Sequence, residues 1–145
     1  MCIRDRGSDV LTAYVLAVAN EAGLKLPSNI EEQMRAGLQG FVEGKIIRDE
    51  SIQTVDLPMR KLAAIEALAR VGQIEPALLG SLTIDPNLWP DSAVLDWWSI
   101  LLRTPLLPDR QQRLEAVEQI IRARLNSQGT AMHLSACLLY TSRCV

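Results

Sequence analysis

The sequence predicts an all-α fold assembled from about three helical hairpins, each with an inner and an outer helix. Three observations carry that expectation. Helix start and stop signals recur along the chain, the links inside successive hairpins have one length, and stretches apolar on every side alternate with stretches apolar on one side.

The best-marked stretch is Asp56 to Gly72. Asp56 suits an N-cap, Pro58 fits the first turn where its missing N–H costs nothing, and Gly72 suits a left-handed C′ position. Leu62, Ile65 and Leu68 make a bulky stripe, and Ala63, Ala64 and Ala67 make a small-residue face that lets another helix come close. Only Glu66, Arg70 and Gln73 form a polar strip, so the helix is expected to have neighbours on at least two sides.

Taken in order, the first helix starts at Ser8 or Asp9 and runs to Gly23, with apolar residues in nearly every direction; it too is predicted to be an inner helix. Ser28 and Glu31 form an S-x-x-E capping box for the second helix. Ile30, Met34, Leu38, Phe41 and Val42 share its inner face, while Glu31, Glu32, Arg35, Gln39 and Glu43 face water. Gly37, Gly40 and Gly44 would permit close packing there. Asp49 to Asp56 form a connector before the central helix, and a short fourth helix is expected over ALLGSL. The fifth, capped by Asp91 or Ser92, carries Ala93, Val94, Leu95, Trp97, Trp98, Ile100, Leu101 and Leu102 and is again inner. The sixth opens at Asp109 with Gln112 and turns Leu114, Val117, Ile121 and Leu125 inward, leaving Arg113, Glu115, Glu118, Arg122 and Arg124 largely wet. Beyond Asn126 the helical rhythm is lost, and a loop or extended segment is expected.

Gly23-x-x-x-Pro27 and Gly72-x-x-x-Pro76 repeat one spacing, with Thr104-x-x-x-Pro108 as a degenerate third copy. Alternating inner and outer helices build two layers, which close into an α/α toroid or stay open as an α-solenoid. The periodicity is compatible with both.

Composition narrows the function classes. The 145 residues are 48% hydrophobic and 22% charged, as in globular chains with a real core. Fifteen basic and 17 acidic residues are interleaved, net −2, so no basic stripe suits a phosphate backbone and nucleic acid is not an expected partner. The longest apolar run, Val10 to Ala19, falls short of the roughly 20 residues that a bilayer span needs, and no signal peptide is recognisable. The three cysteines, Cys2, Cys137 and Cys144, have neither disulfide-framework nor metal-ligand spacing. They fall in residues 1–6 and 136–145, ends that resemble translated adaptor sequence and lie outside the expected domain, residues 7–135.

The residues predict no catalytic, cofactor-binding or metal site and no cofactor. His133 is the only histidine and reads as a surface or loop residue. Asp91 and Asp96 flank an apolar helix, and a carboxylate pair there would suit glycoside hydrolysis, although Asp91 is more simply a cap. Trp89, Trp97 and Trp98 suit core packing between hairpins better than a stacking surface. There is no H-E-x-x-H, G-x-x-x-x-G-K or G-x-G-x-x-G.

The run GSDVLTAYVLAVANEAG, Gly7 to Gly23, resembles a helix of the thioester-containing domains of the alpha-2-macroglobulin and complement family. FVEGKI (Phe41 to Ile46), MRKLAAIEALAR (Met59 to Arg70), LLGSLTIDPNLWPDSAVLDWWSIL (Leu78 to Leu101) and RARLNSQGT (Arg122 to Thr130) are similar to its bacterial branch. The resemblance implies a closed α/α toroid of which this chain is an arc, and a protease-trapping parent in the periplasm or cell envelope. Its partners would be the parent's other domains and, through the parent, proteases. The family's Cys-x-x-Gln thioester motif is absent, since Cys2 is followed by Ile3, Arg4 and Asp5; the chain is therefore expected to be a scaffold segment and not an enzyme. The rival expectations are a toroid hydrolase or cyclase fragment and a helical-repeat binding scaffold.

Overall fold

The structure, a computed structural model, describes residues 8–46, 57–72, 74–82, 85–128 and 131–134. The chain forms two compact units, one up to Thr83 and one from Ile84. Both are helical, so the all-α class holds. The first contains α1 (Asp9–Glu21), α2 (Ser28–Val42), α3 (Leu57–Val71) and a 3-10 turn, Pro76–Ser81. The second contains a 3-10 turn at Pro86–Leu88, α4 (Asp91–Arg103), α5 (Arg110–Arg124) and a small antiparallel ribbon, β1 (Leu125–Gln128) with β2 (Ala131–Leu134). Both adaptor-like ends, the three cysteines, Gln73 and the whole Asp49–Asp56 connector (within 47–56) lie outside the described residues.

In the first unit α3 is the hub. Leu62, Ile65 and Ala67 are fully buried, as the circumference of this stretch demands, and α1 and α2 both pack on it. Burying a leucine or isoleucine of this kind contributes about 1.5–3 kcal/mol. From α1 come Ala13, Leu16 and Ala19; from α2 come Leu38, Phe41 and Val42. Both α1 and α2 end in Schellman motifs. Leu24 N–H donates to Ala19 O and Lys45 N–H to Gly40 O, with Gly23 at φ 65° and Gly44 at φ 75°. Of the three α2-region glycines only Gly40 is closely approached, by Ile46, and Gly37 faces open space.

Several local expectations need correction. The α2 N-cap is Pro27, with no side-chain capping bond, so the Ser28–Glu31 box does not form. Gly72 is not left-handed; instead Arg35 Nη2 would lie 2.9 Å from a Cβ placed there. Glu66 is not part of a wet strip but is 4% exposed. The fourth helix is only the 3-10 turn Pro76–Ser81, because a six-residue stretch opening on Pro and containing Gly80 is too short to repay α-helix nucleation. The second of the three expected hairpins therefore lacks an outer α-helix. Nor is α1 buried all round: Val10, Leu11, Tyr14, Val15 and Val18 are exposed.

In the second unit α4 and α5 form a hairpin whose core is Ala93, Val94, Trp97, Ile100, Leu101, Leu114 and Val117. Thr104 Oγ1 donates to Ile100 O, and Arg110 donates to Leu101 O and Leu102 O, satisfying carbonyls at the end of α4. Asp109 occupies the α5 N-cap at φ 55° without a side-chain bond, so its expected capping role is not realised. Leu125 leaves the helix to start β1, paired in register with Leu134, and is 38% exposed and not inward. The extended segment expected past Asn126 is this ribbon, in which His133 stands opposite Asn126.

Candidate functional site

The first unit's polar groups gather along the seam where α1 lies on α3. Arg60 Nε and Nη2 donate to the two carboxylate oxygens of Asp9 at 2.8 and 2.6 Å, a bidentate pair whose aspartate side chain is 2% exposed. The same guanidinium carbon sits 5.7 Å from the centroid of the Phe41 ring. At the other end Arg70 Nε donates to Glu66 at 2.6 Å, and Arg70 Nη1 pairs with Glu21. Asn20 Nδ2 donates to Arg70 O at 3.3 Å. Burial alone would lower the Arg70 pKa, but the carboxylates of Glu66 and Glu21 outweigh it and hold the guanidinium above its ordinary value.

These contacts set direction as well as strength. Asp9 meets Arg60 and Glu21 meets Arg70, so α1 and α3 run parallel, and the residues brought together are 49 to 51 positions apart. That separation is the spacing between the two Gly-x-x-x-Pro links, at Gly23 and Gly72. The sequence repeat and the helix register are the same fact.

Beside Arg70 is a cleft of about 170 Å³ lined by Leu16, Asn20, Leu24, Leu26, Glu31 and Val71 among others. Asn20, Glu31 and Arg70 give it polar walls, and Arg70 is already committed to two carboxylates. A shallower groove of about 500 Å³ lies on the exposed side of α2 between Ser28 and Gln39.

In the second unit Arg124 reaches back to the start of α4. It donates to Asn87 O, Trp89 O and Asp91 Oδ1, each at 2.8 Å. Asp91 is therefore not a cap but the acid of a largely buried ion pair, and Arg124 is not a wet residue of α5. Asp91 Oδ2 and the indole nitrogens of Trp89 and Trp98 are buried without a hydrogen-bond partner. Asp96 lies five residues along α4, about 140° around the axis from Asp91. Asp91 and Asp96 therefore do not share a face of α4.

Trp89 and Trp97 meet edge to face, ring centroids 6.1 Å apart at 86°, inside the second unit. They are core residues, and Trp98 is half-buried. Among the described residues no group of three or more His, Cys, Asp or Glu side chains could hold a metal ion, and no described helix is long and apolar enough to cross a membrane.

What sequence reasoning missed is the arginines. Arg60, Arg70 and Arg124 tie distant segments together; for Arg60 and Arg70 the available signal was a cation on a largely apolar helix, whereas Arg124 stands among other charges on α5 and carried no such signal. No family model, no curated protein and no solved structure matches this chain.

Proposed function

We propose that the chain is a scaffold segment of the thioester domain of a bacterial alpha-2-macroglobulin-like protease inhibitor, with no catalysis of its own. In this reading it forms part of an α/α toroid, and the parent acts in the periplasm or cell envelope by enclosing proteases. The single observation that carries the architectural part is the parallel register of α1 and α3, with α2 packed on both. Two successive inner helices laid side by side, with the intervening helix behind them, are the repeating step of a two-layer helical ring or solenoid. The family part rests on the sequence resemblance. Its most distinctive run, NLWPDSAVLDW, supplies Trp89, Ala93 and Trp97 to the buried interior of the second unit.

The thioester motif is missing from the sequence, so acylation is not proposed for this chain. Nothing favours the hydrolase or cyclase reading, because the Asp91 carboxylate is engaged by Arg124 and Asp96 points elsewhere around α4.

The test is to sequence outward from this segment and express the frame that contains it. An inhibitor that encloses its target leaves the trapped protease able to cut a small peptide and unable to cut a large protein. That outcome is expected of the expressed parent after it meets a protease. A parent that leaves cleavage of both substrates unchanged, or whose neighbouring domains belong to a different helical assembly, would overturn the proposal.

A further inference from the structure

The helix α1 has two apolar faces, and only one of them is used. At 100° per residue, Ala13, Leu16 and Ala19 occupy one arc, turned to the interior of the unit. Val10, Leu11, Tyr14, Val15 and Val18 occupy an opposite arc about 140° wide. These five side chains are 54%, 61%, 64%, 36% and 43% exposed. No ionisable carboxylate, amine or guanidine lies between Asp9 and Glu21.

The helix cannot roll to hide this face. Asp9 is clamped by Arg60 at one end, and Glu21 and Asn20 are held by Arg70 at the other, which fixes the rotation of α1 about its own axis. The exposed arc is thus presented on a rigid element, so burying it costs little ordering.

We infer that this face pairs with the same face of a second copy of the chain, α1 against α1, antiparallel about a twofold axis near Tyr14. Three considerations select that occupant. A face without charge meets its own copy with no like-charge contact, whereas the exposed side of α2 carries Glu32, Arg35 and Glu43. The antiparallel sense sets Val10 and Leu11 of one copy against Val18 of the other. It also brings Glu21, whose side chain is 75% exposed, beside the N-terminal turn of the second α1, where the helix dipole favours an anion. A parallel pair would oppose Glu21 to itself. Finally, five such side chains present an area on the order of 500 Å². Doubled across the twofold, this is at most about 1,000 Å², the lower bound for a specific interface and the range of weak, reversible pairs.

The inference concerns this chain expressed by itself, and its test is separate from that of the parent proposed above. It is tested by sedimentation velocity on the full chain under reducing conditions over a wide concentration range. The weight-average mass is expected to rise toward twice that of the monomer. Leu11→Glu should raise the half-association concentration at least tenfold with unchanged helical circular dichroism, and the milder Tyr14→Gln should raise it by a smaller factor. Leu106→Glu, at an 81% exposed leucine of the second unit, should leave it unchanged. A monomer at every concentration would overturn the inference. So would larger aggregates, association that needs oxidised cysteines, or association that Leu11→Glu and Leu106→Glu weaken alike.

Discussion

The Asp9 carboxylate and the Arg60 guanidinium are joined by two hydrogen bonds across 51 positions of sequence, and this pair aligns the first helix of the chain with the third. Both Asp9 oxygens are engaged, and the side chain is almost wholly removed from water. Breaking such a pair from one side leaves an uncompensated charge. A fully buried pair loses about 3–5 kcal/mol in this way, and the quarter-exposed arginine moderates it here. Asp9→Ala is therefore expected to destabilise the first unit by about 2–3 kcal/mol in urea unfolding. Asp9→Ala combined with Arg60→Met should recover part of that loss. If the double variant falls by the sum of the two singles, the residues are not coupled.

Arg124 holds the start of α4 to the end of α5 through two carbonyls and a carboxylate. Arg124→Met should cost about 2–4 kcal/mol, because Asp91, which already has one unpartnered oxygen, would be left buried and unpaired. The Trp89–Trp97 contact lies beside it in sequence, so tryptophan fluorescence reports the transition. Adding Asp91→Leu should restore stability; a further loss in the double variant would refute this account.

Two glycines that occupy equivalent places in the repeat should respond differently to alanine. Gly23 sits at φ 65°, where a Cβ is strained, so Gly23→Ala is expected to cost about 1–2 kcal/mol. Gly72 has no such φ, and its Cβ would meet only the far end of the Arg35 side chain, which can move. Gly72→Ala should be within about 0.5 kcal/mol of neutral, as for surface substitutions. Chemical denaturation of both variants checks the contrast.

Glu43 gives a small pH signature. Its hydrogen bond from Lys45, and then that from Gln39, hold its pKa below the ordinary 4.5. The folded state thus binds this proton less readily than the unfolded chain. The resulting stabilisation is present above the unfolded value and is lost as pH falls through the lower folded one. The group is at the surface, so the effect should be weak and screened by salt. Glu43→Gln should flatten the acid limb of the stability curve in that window at low ionic strength. An unchanged limb would refute the assignment.

Much of the fold was legible because its signals are local. Three to four apolar positions per two turns mark each helix, and Gly23 and Pro27 mark a link with the same chemistry as Gly72 and Pro76. The caps were less legible. Ser28, Asp91 and Asp109 all have the right side chain near a helix start, yet none makes the capping bond. Prolines at 27 and 90 took two of those positions, and Asp109 holds the third in a left-handed conformation without a side-chain bond. The ion pairs that join α1 to α3 and α4 to α5 were not expected from the sequence.

By itself the chain's order of residues determined where the five long helices run, that α3 must have neighbours on at least two sides, and that the segment past Asn126 abandons helical form. Those properties depend on neighbours within one or two turns. Only tertiary structure decided which apolar face of α1 is covered and which acid each arginine takes. An amphipathic pattern says that a surface must leave water but does not name its partner, and a charge finds its counterion only when distant helices have already come together.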